Sequence, residues 1–238
     1  ERASDSFGFA GLSEWHVHLD NSRRFFAAVD HPTGTMNIEG VPDASSVPVV
    51  QPSSDLVNGR WLVLDTRSPG EHAAGHIPGA HSVPLFDDAE RSMIGTLYKQ
   101  RGQAAAIEQG LQAVNPKLNF LVASVRELHA RFPKQEIVVH CWRGGMRSGS
   151  VAWLLQESGL PVKRLSGGYK AYRKWVRMEL AKDRPYVILG GMTGVGKTPI
   201  LTAMKARGAA VLDLEELANH LGSAFGNLEE LAQPSTEQ

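Results

Sequence analysis

The chain is nearly devoid of cysteine, has no net charge and contains no long apolar run, and each scarcity excludes something. Cys141 is the one thiol among 238 residues, which rules out an internal disulfide or a cysteine zinc knuckle and suits a reducing compartment. Twenty-five basic side chains balance 25 acidic ones, so any attraction to nucleic acid must come from a local patch. Nothing approaches the ~18 consecutive apolar residues of a membrane span. The opening Glu1-Arg2-Ala3-Ser4-Asp5 lacks a signal-peptide pattern, and the expected location is cytoplasmic, without a membrane partner. What remains, with 42% hydrophobic and 21% charged residues, is ordinary globular composition. At roughly 150 residues per domain, the length suits one complete fold plus part of another. The non-Met start and the polar end at Gln238 read as a piece of a longer protein, truncated at its C-terminus.

Residues 1–53 are punctuated by Pro32, Pro42, Pro48 and Pro52, and no regular structure is expected there. From Trp61 onward, short apolar runs alternate with helical stretches, the order of a parallel α/β sheet. Strands are expected at Trp61–Asp65, Glu136–His140, Val162–Leu165, Tyr186–Gly190 and Ala210–Asp213. Helices are expected at Asp87–Lys99, Lys117–Arg131 and Arg147–Glu157, the second carrying Leu118, Leu121, Val122, Val125 and Leu128 at helical spacing.

Two anion-type loops stand out. The run Ile137-Val138-Val139 leads into His140-Cys141-Trp142-Arg143-Gly144-Gly145-Met146-Arg147-Ser148 and then a helix. Backbone N–H groups and a helix N-terminus behind such a loop would surround an anion, and with Arg143 and Arg147 nearby they favour the thiolate, the nucleophilic form of Cys141. Further on, Tyr186–Gly190 feeds Gly191-Met192-Thr193-Gly194-Val195-Gly196-Lys197-Thr198, a G-x-x-x-x-G-K-T phosphate loop. Its backbone, with Gly191, Gly194 and Gly196, and Lys197 would cradle a di- or triphosphate, and the Thr198 hydroxyl would meet Mg²⁺. Asp213 reads equally as a contact to substrate or metal and as a helix cap.

Asp65-Thr66-Arg67 followed by Glu71-His72-Ala73-Ala74-Gly75-His76-Ile77-Pro78-Gly79-Ala80, together with Leu165-Ser166-Gly167-Gly168, resembles the rhodanese signature over about residues 55–180. That resemblance implies a doubly wound parallel sheet, a cysteine that carries a sulfur-type atom, and a bracing role for Asp65 and Arg67. The pairing with a phosphate loop is more specific. So are the block Ile94-Gly95-Thr96-Leu97-Tyr98-Lys99-Gln100-Arg101-Gly102, the run Gly167-Gly168-Tyr169-Lys170-Ala171-Tyr172-Arg173 and Gly222-Ser223-Ala224-Phe225-Gly226. Together they are similar to the tRNA 2-selenouridine synthases over about residues 55–238. The implied organisation is an N-terminal extension (1–53), a rhodanese-like domain (54–182) and a partial P-loop α/β domain (183–238). The implied activity is a transferase that replaces the sulfur of 2-thiouridine at the tRNA wobble position by selenium from selenophosphate. It passes through an S-geranyl intermediate made with geranyl diphosphate, and a selenophosphate-supplying enzyme is an expected partner. Cys141, with Arg143 and Arg147 beside it, would be the nucleophile that carries the selenium, and the P-loop would hold the geranyl donor's diphosphate.

Two departures qualify that resemblance. Six residues, Trp142 to Arg147, follow Cys141, one more than in the usual sulfurtransferase loop, and His-Cys-x-x-Gly-x-x-Arg-Ser also fits the cysteine phosphatases. A cysteine phosphatase is therefore an alternative, with Asp87 or Asp88 as nominal general acid. Leu221 stands where the family is expected to carry Arg, which weakens a phosphate contact. A basic helical face at Lys170, Arg173, Lys174 and Arg177, interleaved with Tyr172 and Trp175, is expected to hold tRNA phosphate and stack a base. The third reading, an impaired tRNA-binding fragment, uses that face alone. His16, His18 and Asp20 alternate as strand neighbours would, but no further ligand accompanies them and no metal site is expected.

Overall fold

The computed structural model describes residues 26–28, 37–39, 43–219 and 234. Its strands are β1 (Phe26–Ala28), β2 (Asn37–Glu39), β3 (Val49–Val50), β4 (Trp61–Asp65), β5 (His81–Ser82), β6 (Glu136–His140) and β7 (Val162–Leu165). Its helices are α1 (Pro69–Ala74), α2 (Asp88–Arg101), α3 (Gln103–Val114), α4 (Leu118–Arg131), α5 (Met146–Glu157), α6 (Gly168–Leu180), α7 (Lys197–Ala206) and α8 (Leu214–Ala218). The chain divides into two units, to Val176 and from Arg177. No described helix is long and apolar enough to cross a membrane.

In the first unit the five strands lie in the order β3-β7-β6-β4-β5, every pairing parallel. Period-two alternation sends alternate side chains of the central strands into two cores, one on each sheet face. Leu62, Leu64, Ile137 and Val139 pack with Leu121, Val125, Val151 and Leu155 from α4 and α5. Val63, Val138 and Leu165 face Ile77, Tyr169 and Tyr172 on the other side. This is the doubly wound rhodanese-like architecture the signature implied. The register pairs Asp65 with His140, so the carboxyl ends of β4 and β6 are level and Cys141 follows at the edge where open α/β sheets place their sites.

Local chemistry explains the termini. Asp87 and Glu90 form a capping box that starts α2, and Ser68 with Glu71 does the same for α1, with Pro69 in the first turn. The expected helices at Asp87–Lys99, Lys117–Arg131 and Arg147–Glu157 appear as α2, α4 and α5 with every end within two residues of the expected one.

In its strands the structure differs from the sequence reading in three places. The region read as lacking regular structure contains the β1–β2 hairpin and β3, which joins the sheet through β7, while Ala44 and Val47 enter the core. Tyr186–Gly190 and Ala210–Asp213, expected as strands, run as irregular chain. Val187 and Ile188 are 99% and 88% exposed. An apolar run becomes a strand only when a neighbour takes its backbone hydrogen bonds, and no strand pairs with these segments among the described residues.

Candidate active site

Cys141 follows β6 and is buried, with its Sγ 3.2 Å from the Oγ of Ser148, itself fully buried in the first turns of α5. The Ser148 hydroxyl also lies 3.2 Å from the carbonyl of Gly145. It has one proton to give. With a neutral thiol, Cys141 can donate to Ser148 while Ser148 donates to Gly145. With a thiolate, the hydroxyl must turn to Sγ and stabilise the charge.

The loop that follows is held from behind by the start of α6. The N–H of Tyr169 donates to the carbonyl of Cys141 at 2.9 Å, and that of Lys170 to the carbonyl of Trp142 at 3.0 Å. No peptide among the described residues is cis, so the N–H groups of Trp142 and Arg143, across the same peptide planes, face away from those α6 donors. The close approach needs glycine on both sides: Gly144 and Gly168 have φ of +67° and +59°. A Cβ on Gly168 would sit 2.3 Å from the Cys141 carbonyl oxygen, and one on Gly144 would sit 2.8 Å from that of Leu165. The cysteine loop is therefore fixed by backbone on both flanks.

A buried polar group underlies it. The Asp65 carboxylate accepts from the Arg67 guanidinium at 2.6 Å and lies 3.1 Å from His72 Nδ1, while the same Arg67 donates to the Gly75 carbonyl and covers the Tyr169 ring at 4.0 Å. Burial opposes ionisation of Asp65, but the Arg67 hydrogen bonds and the neighbouring charges outweigh it and hold its carboxyl below the ordinary value. His140 goes the other way: burial, reinforced by the Arg67 charge and only partly offset by Asp65, brings it down to about 4. Its Nε2 is buried without a hydrogen-bond partner, so the ring is a neutral packing element. The bracing role expected of Asp65 and Arg67 fits this geometry.

The two loop arginines part company. Arg143 is exposed, whereas Arg147 donates to Glu71 at 2.8 Å, and Arg91 reaches the same carboxylate oxygen at 3.0 Å. Burial would raise Glu71, but Arg147, the Ser68 N–H and Arg91 prevail and its carboxyl lies below the usual range. Beside Met146 and Arg147 opens a mostly apolar cleft of about 510 Å³ between α2 and α3, lined by Ile94, Gly95, Tyr98 and Leu111 among others. Much of the Ile94–Gly102 block singled out by sequence faces this cleft.

The basic helix is α6, and here one expectation is corrected. Lys170, Lys174 and Arg177 are exposed and Arg173 is half-buried. Tyr172, however, is 8% exposed, stacked on Tyr169 in the core, and so cannot stack a base. Trp175 is half-buried with its ring against Tyr172. The aromatic interleaving is the core-facing stripe of an amphipathic helix.

In the second unit, Gly191, Gly194 and Gly196 all have positive φ and lead into α7, with Gly196 left-handed at its N-cap. The Lys197 ammonium donates to the carbonyls of Gly191 and Met192 at 3.0 and 2.9 Å, and Thr198 is exposed beside it. Of the two roles open to Asp213, the structure displays the cap: its carboxylate accepts from the N–H groups of Glu215 and Glu216. The two candidate phosphatase acids are also occupied, Asp87 capping α2 and Asp88 accepting from the Gly70 N–H at 3.0 Å. Among the described residues no cluster of three or more His, Cys, Asp or Glu is placed for a metal. His16, His18, Asp20 and Leu221 lie outside the described residues.

Two contributors were not assigned roles from sequence: Ser148, which touches the sulfur, and Glu71, which holds Arg147. A hydroxyl immediately after the loop arginine and an acid in the Ser68–Glu71 capping box were the available signals.

Comparison with known proteins agrees with this architecture. The rhodanese-like domain model matches residues 53–174, and the tRNA 2-selenouridine synthase AAA domain model matches residues 184–238. Curated tRNA 2-selenouridine synthases from Chromohalobacter salexigens and Bordetella petrii are 41% and 43% identical over 167 and 169 residues, 69% of this chain in each case. They are matched over 45% and 44% of their own length, so the chain spans less than half of these relatives. The crystal structure of the N-terminal domain of a Clostridium difficile 630 protein is 39% identical with a TM-score of 0.50, covering 54% of this chain and 98% of that one. The chain thus belongs to the family that joins a rhodanese-like domain to a tRNA 2-selenouridine synthase AAA domain.

Proposed function

We propose that the chain is part of a tRNA-modifying transferase that replaces the sulfur of 2-thiouridine at the wobble position by selenium. The observation that carries the reading is Cys141: a buried thiol against Ser148, opening a backbone-locked loop in a chain whose named relatives are tRNA 2-selenouridine synthases. Selenophosphate is the selenium donor, and the base arrives as S-geranyl-2-thiouridine. A thiocarbonyl sulfur is a poor leaving group until alkylated, after which a selenium nucleophile displaces a thiol. Cys141 is the nucleophile that takes up the selenium donor, Arg143 and the loop N–H groups hold its phosphate, and Arg147 is aimed by Glu71.

The P-loop serves the geranylation half. Gly191, Gly194, Gly196 and Lys197 hold the diphosphate of geranyl diphosphate, with Lys197 leaving its own loop carbonyls for the phosphate, and Thr198 would hold a Mg²⁺ ion that would offset the diphosphate's charge. The tRNA backbone lies on Lys170, Arg173, Lys174 and Arg177, and the geranyl group of the modified base enters the apolar cleft beside Met146. An enzyme that makes selenophosphate acts upstream. The phosphatase reading gains no support, because Asp87 and Asp88 are both held in structural hydrogen bonds.

The test is incubation of the chain with selenophosphate and S-geranyl-2-thiouridine tRNA, followed by nucleoside mass spectrometry. Selenouridine that depends on Cys141 is the expected result; an unchanged nucleoside profile beside an active full-length relative would reject the reading.

A further inference from the structure

We propose that Cys141 attacks the phosphorus of selenophosphate rather than its selenium, forming a cysteinyl phosphate and releasing hydroselenide as the species that reacts with the base. This rests on the selenium-transfer reading above and specifies its chemistry at the same site.

Electron count is the first argument. Selenium in selenophosphate is already at the selenide level, bound to pentavalent phosphorus. Thiolate attack on selenium would leave the P–Se electron pair on phosphorus and expel phosphite. The resulting S–Se bond could later give up selenide only with two electrons from an outside reductant. Attack on phosphorus changes no oxidation state: the S–P bond forms, the P–Se bond breaks, and its electron pair leaves on selenium as hydroselenide. Hydroselenide adds to C2 of the S-geranyl base and geranyl thiolate departs, taking up the proton selenium loses. Water then cleaves the S–P bond, returning the Cys141 thiolate and inorganic phosphate. The sum is selenophosphate, S-geranyl base and water giving selenouridine, geranylthiol and phosphate.

The loop suits a phosphoryl group. The Trp142 and Arg143 N–H groups are turned away from α6 because their partner carbonyls are bound by Tyr169 and Lys170. Ser148, 3.2 Å from Sγ, has a hydroxyl that can stabilise the thiolate both as it attacks and as it leaves the cysteinyl phosphate. The leaving group completes the argument. A phosphate ester must have its departing alkoxide protonated, yet Asp87 and Asp88 are engaged in capping and in a bond to Gly70. Hydroselenide is a far weaker base than an alkoxide and departs without an acid. With both nominal acids engaged, the loop is matched to a phosphorus–selenium bond and mismatched to an alkyl phosphate.

The experiment gives the 238-residue chain selenophosphate alone, with acid quench, intact mass spectrometry and ³¹P NMR, alongside the same reaction with S-geranyl tRNA. The expected result is a phosphoryl adduct on Cys141, inorganic phosphate, and hydroselenide trapped by an alkylating reagent, with an alkyl phosphate left intact. Ser148→Ala should prolong the adduct by about tenfold to a hundredfold, the effect of removing one charge-assisted hydrogen bond, and Ser148→Thr should restore its breakdown. A selenium adduct on Cys141, phosphite in solution, or no protein adduct in either wild type or Ser148→Ala would overturn the proposal. A phosphoryl adduct without selenium in tRNA would leave phosphorus attack standing and refute the transfer reading. Selenouridine formed together with phosphite would do the reverse.

Discussion

The cysteine loop and the phosphate loop share a recipe, glycines in left-handed conformations leading into a helix N-terminus, but they are held in different ways. The first is held by tertiary structure: its carbonyls are bound by α6, its thiol is buried, and its arginine is aimed by Glu71. The second is held by itself, with Lys197 folded onto its own carbonyls and an apolar lead-in exposed at Val187 and Ile188. An anion site shaped by its surroundings is preorganised, whereas one that satisfies itself must exchange internal hydrogen bonds for those of a ligand.

Substitutions can break or sharpen this contrast. The largest effect is expected for Cys141→Ser, which should lower selenium transfer by at least about a thousandfold while tRNA affinity, read by filter binding, is unchanged. Next comes a glycine comparison by thermal melting and denaturant titration. Gly168→Ala drives a Cβ into the Cys141 carbonyl oxygen and should cost about 3 kcal/mol or more, whereas Gly194→Ala meets no atom within 4 Å and should cost only about 1–2 kcal/mol of left-handed strain.

Acid provides a third contrast. His140 is brought down to about 4 and is proton-free when folded, so the unfolded chain binds more protons between its ordinary value near 6.5 and about 4. Stability of the first unit should fall as pH drops through that window. Asp65, held below its ordinary value, contributes stability that is complete above the unfolded carboxylate pKa and is lost as pH falls through its lower folded value. A melting temperature unchanged from pH 6.5 to 4 would contradict the His140 assignment, and one unchanged as pH falls further, below the ordinary carboxylate range, would contradict that of Asp65. The smallest effect is at Gly95, a mid-helix glycine on the cleft with nothing within 4 Å of where its Cβ would be. Gly95→Ala should stabilise the chain by about 1 kcal/mol through helix propensity, while Gly95→Leu, which narrows the cleft, should slow the S-geranyl substrate more than an S-methyl analogue.

The sequence was most legible where one element sufficed to define a feature. Strand β6, the cysteine loop and the start of α5 follow from an apolar run, two glycines and a helical pattern, and Gly191–Thr198 follows from its own spacing. It was least legible where partners come from far away. β3 has two residues and is a strand only because β7 lies beside it, while Tyr186–Gly190 has a better strand pattern and no partner among the described residues. α3, absent from the sequence reading, was readable from Ala106, Gly110 and Val114 recurring at helical spacing. At α6, Tyr172 and Trp175 share the helix with basic residues, but the pattern alone does not tell which stripe faces the core. The roles of Glu71 and Ser148 depend on contacts across 76 and seven residues, which spacing does not display.

The most direct test of the central claim, that the cysteine loop performs selenium transfer independently of the phosphate loop, is selenouridine formation from selenophosphate and S-geranyl-2-thiouridine tRNA. Wild type, Cys141→Ser and Lys197→Ala would be compared by nucleoside mass spectrometry. The account predicts product from wild type and Lys197→Ala and none from Cys141→Ser. Product from Cys141→Ser, or equal loss in both variants, would contradict it.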